Sequence, residues 1–184
     1  AVTPGRPPLL LIHGYPTASY DWIRIWPRLA ARHSLYALDL LGFGLSDKPR
    51  RSRCTIEQQA DLCTALLGEF RVGAAHVLAH DYGDTVAQEL LARHAEGRLQ
   101  VASVAFLNGG LFPETHRARP IQQLLAIPVL GPLLARAMNY EKFAQAMLSI
   151  SGRHPPSREE LQDLWLPVEH DDGRQAMARL ISYM

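Results

Sequence analysis

Several features that define large classes of proteins are missing from this sequence. Neither Gly-x-Ser-x-Gly nor Gly-x-Cys-x-Gly occurs in its 184 residues, so the usual serine and cysteine nucleophile motifs are absent. The most apolar stretch, residues 121–138, is interrupted by Pro128, Gly131 and Pro132, which argues against a membrane span. No signal peptide is recognisable before the first apolar run, and we therefore expect a cytoplasmic protein.

The charge balance and the cysteines exclude further classes. Lysine and arginine number 19 against 18 aspartate and glutamate, a formal net charge of +1, so no electrostatic track for nucleic acid is expected. This composition fits a small apolar substrate better than it fits nucleic acid. It leaves the oligomeric state open. Cys54 and Cys63 form no Cys-x-x-Cys motif and no cluster with histidine at metal-ligand spacing, which favours free thiols over a disulfide or zinc. We expect neither a metal nor a cofactor.

Four short apolar runs, each stopped by polar residues or glycine, predict the strands of a parallel sheet. They cover residues 9–12, 34–38, 74–79 and 99–107. Between them, residues 19–32 carry apolar side chains at helical spacing, and Thr55 opens a second helix with a capping box. This alternation predicts an α/β fold with helices on both faces of the sheet and ligands at the carboxyl ends of the strands. The residues at those ends are His13, Asp39, Asp81 and Asn108.

The second part of the chain has a different character. From about residue 111 prolines punctuate short helical stretches, and no strand pattern returns. A capping box at Ser157 predicts a helix through about Trp165. We therefore predict an α/β core over residues 1–111 and an inserted helical lid over residues 112–184, lying across the active edge of the sheet.

The most informative residue is Asp81, which stands where a predicted strand turns into a predicted helix. Ala79 and Gly83, two positions before and after it, are small enough to allow a sharp turn that presents the central side chain outward. A carboxylate in this place indicates a nucleophile for a saturated, electrophilic carbon, whereas serine or cysteine would indicate acyl transfer. The alternative is an ordinary aspartate that caps the N-terminus of the helix.

Three motifs in order along the chain carry a resemblance to a known family. They are His13-Gly14-Tyr15-Pro16, the Gly-Phe-Gly-Leu-Ser-Asp-Lys-Pro of residues 42–49, and His80-Asp81-Tyr82-Gly83. Over essentially its whole length the chain resembles the epoxide hydrolase and haloalkane dehalogenase branch of the α/β-hydrolase fold. Within that branch it resembles the mesoderm-specific transcript proteins and their bacterial relatives, through residues 80–84 and 108–117.

The resemblance implies a role for each residue of the predicted site. Asp81 would be the nucleophile that opens an epoxide or displaces a halide and becomes an ester. A histidine-activated water would then cleave that ester, and the backbone N–H groups of Tyr15 and Tyr82 would stabilise the developing oxyanion. His13 would brace the oxyanion turn, while Trp22 and Asn108 would support the substrate pocket.

The leaving group distinguishes the two reactions of this branch. An epoxide oxygen needs a proton donor, and Tyr140 and Tyr183 resemble the two lid tyrosines that provide it in epoxide hydrolases. Relatives that cleave carbon–halogen bonds usually carry tryptophan after the nucleophile and often asparagine after His-Gly, where this chain has Tyr82 and Tyr15. We therefore expect an epoxide hydrolase-like enzyme, with haloalkane dehalogenation as the alternative.

The resemblance also implies parts that are not in this sequence. The family places an acid and a histidine after later strands, and a strand pair before the first apolar run at residue 9. We therefore expect an incomplete α/β-hydrolase fold, an internal portion of a longer protein. A hydrolase-fold interaction protein without turnover is the third hypothesis, because the triad is truncated.

Overall fold

A four-stranded, all-parallel sheet forms the centre of the protein. The computed structural model describes residues 2–50, 54–112, 114 and 120–181. The strands are β1 (Pro8–Ile12), β2 (Ser34–Ala37), β3 (Ala75–His80) and β4 (Val101–Leu107), and their order across the sheet is β2-β1-β3-β4. Each begins or ends within two residues of the predicted apolar run. The α/β architecture with a parallel sheet that was predicted from the sequence is therefore confirmed.

Burial on both sides explains why β1 is a continuous apolar run. It lies between β2 and β3, and its Leu10, Leu11 and Ile12 are all fully buried. Leu10 and Ile12 belong to the main apolar cluster, whereas Leu11 joins Trp22 in a second cluster on the opposite face. Side chains alternate between the two faces of a strand, so a strand covered on both faces requires apolar residues at every position.

Eight α-helices surround or follow the sheet in the described residues. They are α1 (Trp26–Ala30), α2 (Ile56–Glu69), α3 (Tyr82–Ala95), α4 (Pro120–Leu125), α5 (Leu130–Arg136), α6 (Tyr140–Ile150), α7 (Arg158–Glu169) and α8 (Gly173–Leu180). Thr55 opens α2 and Ser157 opens α7, each with both hydrogen bonds of a capping box. These two helix starts were predicted correctly, because the capping signal is local.

The continuous helix predicted over residues 19–32 is wrong. A short 3-10 helix, Ser19–Trp22, is followed by irregular chain and then by the five-residue α1. Asp39 accepts hydrogen bonds from both the backbone N–H and the hydroxyl of Ser19, which ties the start of this segment to the end of β2. Pro27 lacks a backbone N–H and is therefore placed in the first turn of a new helix, not inside a long one.

Residues 120–181, called here the helical segment, contain only helices and connections in the described part of the chain. Ala176 and Leu180 of α8 join the main apolar cluster of the core. Tyr15 packs against that cluster and against two clusters within the helical segment. No helix among the described residues is long and apolar enough to cross a membrane.

Candidate active site

Asp81 occupies a strained backbone conformation at the turn between β3 and α3. Its φ of 51° and ψ of −114° lie in a region that non-glycine residues seldom adopt, and α3 begins at the next residue. Gly83 allows the first turn of α3 to approach β1, since a Cβ there would lie 2.5 Å from the carbonyl oxygen of Ile12. The sharp strand-to-helix turn predicted from the sequence is therefore present.

The carboxylate of Asp81 is held by the turn that follows β1. The backbone N–H of Tyr15 donates a 2.9 Å hydrogen bond to Oδ2 of Asp81. Gly14 is packed so closely that a Cβ there would meet the Asp81 Cβ at 2.8 Å. Among the described residues, no other group donates a hydrogen bond to this carboxylate, so Oδ1 is left for other chemistry. Tyr82 is the first residue of α3, where backbone N–H groups lack a helical partner.

His13 is fully buried and fixes the shape of the same turn. Its Nδ1 lies 2.8 Å from the carbonyl oxygen of Gly14, and its Nε2 accepts a 3.0 Å hydrogen bond from the backbone N–H of Leu40. Since a carbonyl only accepts, the proton must be on Nδ1. Burial lowers the pKa of His13 to about 4, so the neutral ring stays in this tautomer at neutral pH. His13 therefore links the turn after β1 to the chain after β2.

A cavity of about 420 Å³ lies between the carboxyl edge of the sheet and the helical segment. Most of its wall is apolar. Core residues in the wall include Tyr15, Asp21, Trp22 and His80, and the helical segment contributes Met147 and Leu164 among others. Asp81 is not itself among the lining residues, although Tyr15, which binds its carboxylate, and His80, its neighbour in sequence, both are. The turn that holds the carboxylate therefore contributes to the cavity wall through Tyr15.

Trp22 is a wall residue with an unused donor. The side chain is buried, and its indole Nε1 has no hydrogen-bond partner among the described residues. Its ring meets that of His80 edge to face, with the centroids 6.5 Å apart. A buried N–H without an acceptor is energetically costly, and this nitrogen has almost no accessible surface.

His80 is a further residue of the cavity wall that was not predicted from the sequence. The side chain is half-buried in the cavity wall beside Trp22, and burial lowers its pKa. The cause is its position as the last residue of β3, where the sheet ends and the cavity begins. The sequence signal was its place at the carboxyl end of a strand, the same signal that identified Asp81.

Asp21 is a site residue that sequence reasoning missed. It lines the cavity, and its Oδ2 accepts a 2.6 Å hydrogen bond from the hydroxyl of Thr17. Burial raises the pKa of Asp21 to about 7, and the nearby carboxylates of Asp81 and Asp39 add to the shift. No local pattern marks an aspartate beside a tryptophan as half-buried in a cavity wall, because its surroundings come from distant parts of the chain.

The other residues that were predicted for the site lie in different parts of the structure. The Tyr82 ring is buried against Phe43, with its hydroxyl 3.3 Å from the Cys54 carbonyl oxygen, so the ring belongs to the packing of the core. The Tyr140 hydroxyl donates to the carbonyl of Arg158 at 3.3 Å, and Tyr140 is not among the residues that line the cavity. Asn108 is exposed at the end of β4 with a φ of 58°. Tyr183 lies outside the described residues.

Comparison with known proteins agrees with this architecture. The model of the alpha/beta hydrolase fold family matches residues 7–158, and the chain belongs to that family. The human mesoderm-specific transcript homolog protein is 44% identical over 184 residues, covering 96% of this chain and 55% of that protein. LipZ of Mycobacterium tuberculosis, whose name assigns it to the hydrolases, is 40% identical, covering 97% of this chain and 62% of LipZ. The chain thus spans little more than half the length of these relatives.

Solved structures give the same result. An alpha/beta hydrolase fold protein from Burkholderia ambifaria matches with a TM-score of 0.76 at 30% identity, over 97% of this chain and 64% of that one. A loop variant of the haloalkane dehalogenase DbeA from Bradyrhizobium elkanii matches with a TM-score of 0.80 at 26% identity, over 100% and 63%. The epoxide hydrolase CorEH matches with a TM-score of 0.80 over 96% and 66%, and its 19% identity supports the fold alone.

Proposed function

We propose that this chain carries the nucleophile of an epoxide hydrolase-like enzyme, which opens an epoxide to a vicinal diol through an ester on Asp81. In this proposal residues 1–111 are the hydrolase core and residues 112–184 the lid. One observation carries the proposal most directly. The Asp81 carboxylate stands on a strained strand-to-helix turn, with Oδ2 bound by the Tyr15 backbone N–H.

The hydrogen bond from Tyr15 divides the work between the two oxygens of Asp81. Oδ1 attacks the less hindered carbon of the epoxide, while Oδ2 stays beside the N–H and becomes the carbonyl oxygen of the ester. When water later attacks that carbonyl carbon, negative charge develops on Oδ2, where the donor is already in place. The backbone N–H of Tyr82, at the start of α3, is the second donor in this proposal.

The cavity supports a small and mainly apolar substrate. Its volume of about 420 Å³ is within the range of ordinary ligand pockets, and side chains such as Met147 and Leu164 offer no strong polar contacts. In the proposal, the histidine that activates water and the acid that orients it come from the part of the protein beyond this chain. In the proposal, these two residues serve the second half-reaction, which is the hydrolysis of the ester.

Dehalogenation of an alkyl halide by the same nucleophile is the second candidate. The observation that favours it is Trp22, which lines the cavity and whose buried indole Nε1 has no hydrogen-bond partner among the described residues. A departing halide needs such donors. Against it, the residue after the nucleophile is Tyr82, whose ring is buried away from the cavity.

A labelling experiment on the full-length protein tests the proposal. The protein is mixed at excess over a panel of epoxides and haloalkanes in oxygen-18 water, and the Asp81 peptide is analysed by mass spectrometry. Diol together with label in Asp81 supports the proposal, because water attacks the ester carbonyl. Halide release with the same label supports the second candidate instead. Absence of any product or adduct would contradict both and leave a non-catalytic binding protein.

A pair of matched variants makes the assignment to Asp81 specific. Asp81→Asn keeps an oxygen for the Tyr15 N–H but removes the nucleophilic carboxylate, so it should form neither adduct nor product. Asp47→Asn is the control, since Asp47 is an exposed aspartate on the loop after β2. Equal loss of activity in both variants, or retained activity in Asp81→Asn, would contradict the assignment.

A further inference from the structure

A second carboxyl group lies at the same turn as Asp81. The backbone N–H of Gly14 favours a negative charge on Asp21, and the next N–H along the chain, that of Tyr15, donates a hydrogen bond to Asp81. Two consecutive backbone N–H groups of one turn therefore interact with two different aspartates. Asp21 lines the cavity, whereas Asp81 is not among the lining residues.

The surroundings of Asp21 favour a carboxylic acid over a carboxylate. Burial is the largest influence on its pKa, and it acts against the hydrogen bonds from Thr17 and Gly14, which favour the ionised form. Asp81 and Asp39 repel a negative charge on Asp21, and the net result is a pKa of about 7. The other titratable groups that share the cavity wall with Asp21 are Tyr15, Tyr20, Arg24, His80, His154 and Glu160.

The hydrogen bond from Thr17 also orients this acid. Its hydroxyl donates to Oδ2 of Asp21 at 2.6 Å, so the acidic proton is left on Oδ1, which has no side-chain donor among the described residues. The lid tyrosine that the structure describes is not an alternative in this cavity, since Tyr140 donates to Arg158 and does not line the wall.

We propose that Asp21 is the catalytic acid that gives its proton to the epoxide oxygen as Asp81 opens the ring, an inference that depends on the proposed function. Asp81 Oδ1 bonds to carbon, the carbon–oxygen bond of the ring breaks, and its electron pair stays on oxygen, which takes the Asp21 proton. Hydrolysis of the ester by water then releases the diol, restores the Asp81 carboxylate and frees one proton. That proton returns to Asp21, so the cycle balances.

The test compares two leaving groups in the full-length protein. An epoxide needs a proton as it opens, whereas a bromide leaves without one. Single-turnover formation of the Asp81 adduct is followed by mass spectrometry with an epoxide and with an alkyl bromide of the same carbon skeleton. Asp21→Asn should slow the epoxide reaction on the order of 100-fold and leave the bromide reaction almost unchanged. Asp47→Asn is the control that should change neither rate.

The pH profile separates acid catalysis from a structural role. With wild-type protein the epoxide rate should fall as the pH rises through about 7, and in Asp21→Asn this fall should disappear. Thr17→Val is a second variant that preserves shape. It removes a hydrogen bond that favours ionised Asp21, so the fall should move to higher pH.

Three results would overturn the inference. Equal slowing of the epoxide and bromide reactions by Asp21→Asn would assign Asp21 to the structure of the turn, and no slowing of either would remove it from the reaction. If Asp21→Asn does not fold, an unchanged pH profile in Thr17→Val overturns the inference by itself. Failure of wild-type protein to form an adduct with either reagent would instead contradict the proposed function, and the acid role with it.

Discussion

Arg24 and Glu160 form a two-bond ion pair at the rim of the cavity. Nε of Arg24 donates to Oε1 and Nη2 donates to Oε2, both at 2.6 Å. Arg24 lies in the chain between β1 and α1, and Glu160 is in the first turn of α7, so the pair connects the core to the helical segment. Arg24 also donates to the carbonyl oxygens of His154 and Pro155 just before α7.

Arg24→Gln should loosen the start of α7. The variant removes the ion pair and leaves the capping box of Ser157 and Glu160 intact, so hydrogen exchange in residues 154–162 should become several-fold faster. High salt should produce part of the same effect in wild-type protein, because the pair is exposed. Arg98→Gln is the control, since Arg98 pairs with Glu96 far from α7 along the chain. Unchanged exchange in Arg24→Gln would show that other contacts hold α7.

Gly83→Ala should destabilise the protein by roughly 1–3 kcal/mol, the range for overpacked sites. The new Cβ would lie 2.5 Å from the Ile12 carbonyl oxygen and 2.8 Å from that of His13, and backbone atoms of a central strand cannot yield easily. Gly68→Ala in α2 is the matched control, because nothing lies within 4 Å of its Cβ, and it should stabilise by about 1 kcal/mol. Urea unfolding of the full-length protein measures both. A stable Gly83→Ala variant would contradict the close approach of α3 to β1.

Asp21→Asn should raise the melting temperature at pH 8 more than at pH 4. The folded protein holds the Asp21 proton up to a pKa of about 7, whereas the unfolded chain releases it near the ordinary value of 3.8. Unfolding therefore releases a proton between these values, so stability from this group falls as the pH rises and is lost above about pH 7. The Asp21→Asn variant removes this loss of stability, because asparagine does not ionise. Thermal unfolding at several pH values measures this difference. An equal gain in melting temperature at pH 4 and pH 8 would contradict the prediction.

His13 should remain neutral, with its proton on Nδ1, from pH 8 down to pH 5. The unfolded chain binds this proton near the ordinary pKa of 6.5 and the folded chain only near 4, so stability from His13 is complete above pH 6.5 and falls as the pH decreases towards 4. The full difference corresponds to roughly 3 kcal/mol. Nitrogen-15 NMR of the imidazole identifies the tautomer directly. A proton on Nε2 at pH 6 would contradict the hydrogen bond from Leu40.

The parts of this protein that were predictable from sequence depend on local chemistry. The strand β1 was predicted because every residue of a doubly covered strand is apolar, and the starts of α2 and α7 because a capping box involves only four consecutive residues. The turn at Asp81 was predictable for the same reason, since small residues on both sides are a local requirement of its geometry.

The helix that was predicted wrongly and the cavity residues that were missed share a different cause. Trp22 and Trp26 have helical spacing, yet hydrogen bonds from Ser19 to Asp39, twenty residues away, hold the chain in another path. Asp21 has no pattern of its own, and its buried environment depends on Asp81 and on helices that follow much later. His80 faces the cavity because β3 ends there, not because of its immediate neighbours.

The sequence alone therefore determined the α/β class of this protein, the position of its strands and the candidate nucleophile at residue 81, because each depends on residues that are adjacent along the chain. Only the tertiary structure decided which polar groups share the cavity and which of them hold a proton. Burial and charge repulsion act through space, and the groups that set them for Asp21 are distant in sequence: Asp81 is 60 positions away, and the helical segment in the cavity wall is farther still.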